Sequence, residues 1–321
     1  MMTFSRSLGY SAVLPLALAI AGTGCAGTTD SSDDAVSSED ALKTSYSDLS
    51  EALSEGDYTR WIDVKHALVK GFDNVCGDTF CEGDFSNLTS VRLACSATTK
   101  AKKMKDCTWV FGGSIEYVAP ASGAITSDAH TWSCKIPVNT TSKKFLDTLA
   151  APGDDVIHRA LPGTDKSFYD ALVDCFDGVV GNLPPTSTEG PFVEMKDFLW
   201  NGGGDGSAWM DTTRKLAKGF DDVCGDTFCE GDYSDIEALG FACAVDGAAN
   251  KVRSCTWTFA LANTEVDSKG SVVSDAILKS CSVKLYANPS TLVSALAGDD
   301  PLHARLPGKT TSIYDSLVGC L

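Results

Sequence analysis

The chain has 321 residues, of which 26 are basic and 43 acidic, so its formal net charge at pH 7 is −17. A negative field of this size repels phosphate backbones, which excludes nucleic acid as an expected partner. The apolar fraction of 43% is typical of globular proteins, and the length favours about two domains.

The N-terminus has the pattern of an export signal. Arg6 supplies the positive charge, and the apolar run Ala12–Ala21 is followed by small residues. That run has about half of the ~20 residues that span a bilayer, so it does not predict a permanent transmembrane helix. The next residues, Gly22-Thr-Gly-Cys25, resemble the lipobox of bacterial lipoproteins. The resemblance implies that Cys25 carries lipid and begins the mature protein, with membrane contact only through that anchor. The alternative is ordinary cleavage near Ala21 or Ala26.

Two further stretches mark boundaries. The segment after Cys25 (AGTTDSSDDAVSSED) is rich in Ser and Asp and almost free of apolar residues, so it cannot collapse onto a core. Gly, Pro and Thr cluster again midway along the chain, which indicates a linker. The predicted division is a signal peptide over 1–24, a disordered tether over 25–44, a first module over 45–176, a linker over 177–191 and a second module over 192–321.

An internal repeat dominates the rest of the sequence. The stretch Lys70–Asp84 (KGFDNVCGDTFCEGD) returns as Lys218–Asp232, with Asn74 replaced by Asp222. The two stretches match at every other position, at a spacing of 148 residues. Such a match indicates a duplicated unit, so the chain contains two copies of one module.

Both copies predict the same order of elements. Tyr46, Leu49 and Leu53 share one face of a helix, and a longer helix follows with an apolar stripe over Trp61–Val75, repeated over Trp209–Val223. Three alternating segments then predict strands, and helical segments close each copy. A Gly-rich stretch in the second copy, 201–206, reads as a helix-to-helix turn. The predicted fold class is α+β, with two tandem disulfide-rich modules, each a three-stranded antiparallel meander flanked by helices.

The cysteines divide evenly between the copies. The first set is Cys76, Cys81, Cys95, Cys107, Cys134 and Cys175, and the second is Cys224, Cys229, Cys243, Cys255, Cys281 and Cys320. Even sets at matching positions in an exported chain predict three disulfides within each copy and none between copies. The pairing stays open, although Cys95 and Cys107 lie symmetrically about a predicted hairpin. A structural zinc site is the alternative, but no second close cysteine pair completes a set of four ligands.

Each copy of the repeat also carries a compact set of acids. These are Asp78, Glu82 and Asp84 in the first copy and Asp226, Glu230 and Asp232 in the second. Short acidic loops with interspersed glycine can supply the oxygens that Ca²⁺ prefers, so Ca²⁺ is the one cofactor considered. The alternative is structural: Asp78 caps a turn, and Asp84 or Ser86 caps a following helical turn. In the second copy Ser234–Glu237 has the form of a helix capping box, which favours the structural alternative.

A matched histidine and a matched serine form the second candidate set. His158 and His303 correspond between the copies, each after a pair of aspartates, and Ser167 corresponds to Ser312. A histidine near carboxylates can act as a general base or a metal ligand. No Gly-x-Ser-x-Gly sequence surrounds either serine. The structural interpretation is a polar turn, with each serine near the start of the last helix.

These features support three functional hypotheses. The first is a non-enzymatic binding protein, at the cell envelope or secreted, whose partner is an envelope or extracellular protein or polymer; two linked copies would raise its avidity. The second is a secreted inhibitor-like module, which would expose a large apolar patch on a loop. The third is a hydrolase using His158 or His303, which would bring His, Asp and Ser within hydrogen-bonding reach in a cleft.

Overall fold

Each copy of the repeat forms one antiparallel sheet with helices on one of its faces. The computed structural model describes residues 44–82, 84–153, 155–177, 181, 189–225, 227–229, 231 and 233–321. The predicted export signal, the lipidation of Cys25 and most of the predicted tether and linker lie outside these residues.

The elements follow one another in the same order in both copies. The first copy comprises β1 (Tyr46–Asp48), α1 (Leu49–Ala52), α2 (Glu55–Cys76), β2 (Thr89–Thr98), β3 (Met104–Val118), β4 (Ile125–Ile136), α3 (Ser142–Leu149) and α4 (Phe168–Phe176). The second comprises β5 (Phe192–Glu194), α5 (Met195–Phe198), a π-helical turn (Leu199–Gly203), α6 (Gly206–Cys224), β6 (Asp235–Asp246), β7 (Lys251–Val266), β8 (Val272–Ala287), α7 (Pro289–Leu296) and α8 (Ile313–Val318). Among the described helices, none is long and apolar enough to cross a membrane.

The α+β class is confirmed, but the predicted three-stranded meander is wrong by one strand. The sheets have the orders β1-β2-β3-β4 and β5-β6-β7-β8, with antiparallel neighbours. Tyr46, predicted on a helix, lies in β1 and pairs with Thr98 of β2. A three-residue strand is too short for its alternation to be separated from a helical period, and its partner lies far along the chain.

A second local signal also gave the wrong element. Ser234–Glu237 matches a capping box, but the chain there enters β6 rather than a helix. Ile236 pairs with Leu261 and Glu237 with Ala260 of β7. The short capping signal is overridden because this segment gains a full ladder of hydrogen bonds to β7.

The predicted apolar stripes form the two cores. Ser54 caps α2 by accepting a hydrogen bond from the backbone N–H of Asp57, and the buried Trp61, Leu68 and Phe72 pack from α2 onto the sheet. Trp209, Leu216 and Phe220 of α6 do the same in the second copy. The aromatic rings of each core lie against Trp109 or Trp257 of the central strand.

Six disulfides confirm that the twelve cysteines are paired within their own copies. The pairs are Cys76–Cys81, Cys95–Cys107 and Cys134–Cys175, matched by Cys224–Cys229, Cys243–Cys255 and Cys281–Cys320. Cys95 and Cys107 are directly opposed on β2 and β3, so their bridge crosses the hairpin as the symmetry of the sequence suggested. This number of disulfides is typical of an oxidising, exported environment.

The two sheets pack against each other through the faces that carry no helices. Val91 and Val110 of the first copy meet Ala260 and Ala262 of the second in a small cluster of their own. A Cβ added to Gly112 would lie only 2.5 Å from the Cβ of Ala260. Gly112 and Ala260 are equivalent positions, 148 residues apart. The copies therefore meet through equivalent strands, and small side chains there let the backbones approach.

Polar contacts join the same two faces. The Asp106 carboxylate accepts a hydrogen bond from the backbone N–H of Val272 (2.8 Å) and contacts Lys135 Nζ (2.9 Å), which donates to the Val272 carbonyl (2.8 Å). Arg92 of β2 forms an ion pair with Asp235 of β6. The copies are thus built as one compact unit over Thr44–Leu321 rather than as separate modules.

Candidate functional site

The acidic loop of the first copy is a short turn at the end of α2. The disulfide Cys76–Cys81 closes it, and the Phe80 ring stacks on Phe72 of the core, 5.9 Å between centroids. Asp78 and Glu82 point into solvent. The disulfide and the packing of the half-buried Phe80 on the core fix the geometry of this stretch, which explains why both copies keep its sequence.

Asp84 has a different role from the one predicted. No helix follows it, because the chain makes only a short turn at 86–87 before β2 begins at Thr89. The Asp84 Oδ2 instead accepts a hydrogen bond from the backbone N–H of Gly181 (2.8 Å). Within the part of the chain that the structure describes, no group of three or more His, Cys, Asp or Glu could hold a metal ion. Asp226, Glu230 and Asp232 lie outside that part. Binding of Ca²⁺ by these loops stays a prediction.

The matched histidines lie at the surface beside carboxylates. His158 Nδ1 is 2.6 Å from Asp155 Oδ1, and its ring packs on Tyr169 at 4.3 Å between centroids. His303 repeats this arrangement with Asp300 at 3.0 Å and Tyr314 at 4.6 Å. The duplicated His–Asp–Tyr groups therefore fix the turn that precedes the last helix of each copy.

The matched serines are helix caps, as the structural interpretation predicted. Ser167 caps α4, and its Oγ lies 2.7 Å from Asp170 Oδ2 in a complete capping box; these hydrogen bonds lower the pKa of Asp170. Ser312 and Asp315 repeat the box at α8. Each serine hydroxyl is thus bonded to a different carboxylate from the one that holds the histidine, so the three groups do not form a relay.

A cleft of about 550 Å³ lies between the two copies. Asn87 and Ser114 contribute to its wall from the first copy, and Met210 and Thr213 of α6 do so from the second. Trp209 and Trp257 give it an apolar floor. The cleft exists only because the copies are packed together, so no pattern within one copy could predict it.

A β-bulge in β6 shapes this cleft. The register with β7 shifts between Ala238 and Phe241, which turns Gly240 toward the first copy. The Gly240 N–H donates to Ser114 Oγ (3.1 Å), which also accepts from Asn87 Nδ2 (3.0 Å). A Cβ at position 240 would lie 1.6 Å from Glu116 Oε2, so any larger residue here would displace the Glu116 carboxylate from the cleft wall.

The charges around the cleft are mainly acidic. Its lining contains four carboxyl groups (Asp84, Glu116, Glu194, Asp197) and two cationic side chains (Lys196, Arg214). Burial raises the pKa of Glu194, although its carboxylate accepts backbone hydrogen bonds from Cys243 (3.3 Å) and Lys196 (2.5 Å). The Arg214 guanidinium is already 2.5 Å from Asp211. The local field therefore disfavours anionic ligands.

An exposed tryptophan lies on the turn between α5 and α6, three residues after the cleft-lining Asp197. Trp200 is 57% exposed, and the turn that follows it has positive φ at Gly202 (+100°) and Gly204 (+156°). Asp205 then caps α6 by accepting from the N–H of Ala208 (2.9 Å). The prediction of a helix-to-helix turn here is confirmed, but the sequence reasoning missed Trp200. The available signal was a tryptophan directly before a run of glycines.

The turn is also where the copies differ in length. Eight positions separate Leu53 from Trp61, and ten separate the equivalent Leu199 from Trp209. A depression of about 370 Å³ next to the turn is lined by two apolar side chains (Val193, Phe198), by Asn201 and two glycines, and by Asp197, which also lines the cleft. A scan against protein-family models, a search of curated proteins and a search of solved structures each found no match.

Proposed function

We propose that this protein is a non-enzymatic binding protein, exported to the cell envelope or secreted, whose ligand is an envelope or extracellular protein or polymer. The observation that carries the proposal is the cleft of about 550 Å³ walled by both copies. Ligand sites are commonly pockets of this size at the junction of two structural units. The structural roles of Ser167 and Ser312 as helix caps support the absence of serine chemistry.

Export is supported by two independent features. Six disulfides need an oxidising compartment to form and persist. The N-terminal residues have the charge and apolar pattern of a signal, and Cys25 is placed for a lipid anchor. A lipid on Cys25 would hold the binding unit at a membrane surface through the acidic segment that follows it.

Filling the cleft tests this proposal. Thr213→Tyr places a ring in the cleft from α6, while Asp222→Tyr places the same ring on an exposed position of that helix outside the cleft lining, as a matched control. Binding of the purified protein to separated protein and polysaccharide fractions of an envelope extract is measured by co-sedimentation. We expect wild type and Asp222→Tyr to bind one fraction and Thr213→Tyr to lose that binding. Equal binding by all three proteins, or binding by none, contradicts a ligand in the cleft.

The inhibitor hypothesis has one observation in its favour. Trp200 is a large apolar side chain exposed on a loop, which is what an inhibitory contact needs. Its test is the inhibition of a panel of secreted proteases by wild type and by Trp200→Ala. Inhibition by the wild type that is lost in the variant would favour an inhibitor over the binding protein proposed above.

A further inference from the structure

The cleft has an equivalent elsewhere in the molecule, because the two copies pack through equivalent strands. Gly240, at the edge of the cleft, corresponds to Arg92, 148 residues earlier in the chain. Both residues lie at the β-bulge of their strand, in β6 and in β2. The surroundings of Arg92 are called the closed site below, because a side chain fills the space that Gly240 leaves open.

At the closed site, a guanidinium of the first copy is held by the second copy. Arg92 Nη1 donates to Ser234 Oγ (3.1 Å) and forms an ion pair with Asp235. Arg92 Nε donates to Thr264 Oγ1. One carboxylate and two hydroxyl groups of the second copy therefore form a site for a guanidinium.

A second cation, Lys65 of α2, belongs to the closed site. Its Nζ lies 5.8 Å from the centre of the Trp61 ring. Burial and the charge of Arg92 lower the pKa of its ammonium group, while Asp48 and Asp235 act in the opposite direction. The closed site therefore combines two cations with two carboxylates, so its charges are balanced.

The cleft repeats the closed site with both cations missing. Thr213 stands at the position of Lys65, and Gly240 stands at the position of Arg92. The equivalents of the groups around these cations all line the cleft: Ser86 for Ser234, Asn87 for Asp235, Glu116 for Thr264, and Glu194 for Asp48, each of the last two being the N-cap of a short helix. Two carboxylates thus remain at these positions, while neither cation does.

Glu116 is the carboxylate best placed to receive a cation from outside. Its Oε1 accepts a hydrogen bond from Ser127 Oγ (3.1 Å), and its Oε2 reaches the place where a side chain at position 240 would begin. Within the described part of the chain, Glu116 forms no ion pair. Arg214, a cation of the lining, is paired with Asp211 instead.

An aromatic ring in the cleft adds a surface that suits the same kind of ligand. Phe241 lines the cleft at the position of Leu93, and it is half-buried. Its ring centroid lies 5.8 Å from that of Trp209 and 5.4 Å from that of Trp257, which hold it in place. Aromatic faces attract cations, and a planar guanidinium can stack on them.

We propose that the cleft binds an arginine side chain presented by an extracellular partner protein. The guanidinium would take the place that Arg92 occupies at the closed site, with Glu116 as its anion and Phe241 beside it. The hydroxyl of Ser86 and the amide oxygen of Asn87 offer further acceptors. The proposal rests on the proposed function and names the chemistry of its ligand.

Capped tripeptides test this directly. The peptides acetyl-Gly-Xaa-Gly-amide, with arginine, citrulline or lysine as Xaa, are titrated into the purified protein at low ionic strength, and affinities are measured by calorimetry. Citrulline has the shape of arginine without its charge, and lysine has the charge without the planar group. We expect the arginine peptide to bind at least about tenfold more tightly than the citrulline peptide, and more tightly than the lysine peptide.

Three variants assign this preference to the cleft. Glu116→Gln removes the anion, and Thr213→Lys restores the cation that the closed site has at this position. Each should reduce the preference for arginine over citrulline to about twofold or less. Glu265→Gln is the matched control, because Glu265 is exposed on β7 outside the cleft lining, and its loss changes the net charge of −17 by the same single unit. It should keep the preference, and thermal unfolding shows that each variant is folded.

The outcomes separate this inference from the proposed function. Equal affinity of the wild type for the arginine and citrulline peptides overturns the inference, as does no binding of the arginine peptide at about 10 mM, where even a weak site would be filled. A lysine peptide that binds as tightly as the arginine peptide overturns it as well, as does a preference that persists in both Glu116→Gln and Thr213→Lys. If Glu116→Gln still binds the envelope fraction that Thr213→Tyr loses, the inference fails while the binding function stands. Loss of that binding in both variants supports both.

Discussion

Glu237 offers a quantitative test of how the two copies pack. It lies on β6 opposite Ala260, a residue of the apolar cluster between the sheets. Burial raises the pKa of its carboxyl to about 8, with further contributions from Asp221, Asp235 and Asp73. Asp73 belongs to α2 of the first copy, so this field depends on contact between the copies. Replacing Glu237 with Gln removes the charge while keeping the shape of the side chain.

The expected magnitude follows from the pKa. A carboxyl whose pKa rises from 4.5 to about 8 on folding binds its proton more tightly in the folded state. The neutral carboxyl of Glu237 therefore leaves the free energy of unfolding at its full value below pH 4.5. That free energy falls as the pH rises from 4.5 to about 8, because the folded state holds a proton that the unfolded state has lost. At about 1.4 kcal/mol per tenfold change in proton affinity, Glu237 lowers the free energy of unfolding by about 3 kcal/mol at pH 7. Partial contact of Glu237 with water lowers the expected value to about 1–3 kcal/mol.

Urea unfolding with the disulfides intact measures this cost. At pH 8 Glu237→Gln should be more stable than the wild type by about 1–3 kcal/mol, and at pH 4 the two should agree within about 0.5 kcal/mol. Glu265→Gln is the matched control, because Glu265 is exposed on the neighbouring strand β7. Its effect should not depend on pH. A difference between Glu237→Gln and wild type that stays constant from pH 4 to pH 8 would refute the reasoning.

Three further predictions concern the sheet contact, the acidic loops and the N-terminus. Gly112→Ala should lower the free energy of unfolding by about 1–3 kcal/mol, because the added methyl group crowds Ala260. Adding Ala260→Gly should restore most of this loss, and an equal loss with and without Ala260→Gly would contradict the contact. If the acidic loops bind Ca²⁺, the melting temperature should be higher with Ca²⁺ than with EDTA, and the double variant Asp78→Asn, Asp226→Asn should remove this increase. If Ca²⁺ does not change the melting temperature, the loops are closed turns with a structural role only. Cys25→Ser should release a soluble, folded protein from the membrane fraction, whereas wild type found soluble and without lipid would indicate ordinary cleavage.

Local patterns predicted those parts of the fold whose cause is local. The stripe from Trp61 to Phe72 has a strong helical period and is long enough to be unambiguous. The bridge from Cys95 to Cys107 follows from the symmetry of the two cysteines about a predicted hairpin. In each case the residues that interact are near one another in sequence, or are repeated.

The contact between the sheets could not be predicted in the same way. Alternation on β3 places Trp109 and Phe111 in the helix-side core, and leaves Thr108, Val110 and Gly112 on the other face. Small and polar side chains of this kind are typical of a solvated face. They are buried here only because the second copy covers them, and the sequence of a single strand does not predict which surface will pack on it. The cleft depends on the same long-range packing and was missed for the same reason.

Features that both copies share reflect requirements of the fold, whereas features found in one copy only need another explanation. The most closely repeated stretch holds a disulfide and the half-buried Phe80, which packs on Phe72, so both copies need the same residues to keep the same geometry. The turn at Trp200 is longer in one copy only, so the fold itself does not require it. Its three glycines cost conformational entropy on folding, and its tryptophan leaves a large apolar face in water. A feature that destabilises the folded chain and is absent from the other copy is best explained by a ligand, so the first binding experiments belong at Trp200 rather than at the repeated acidic loop.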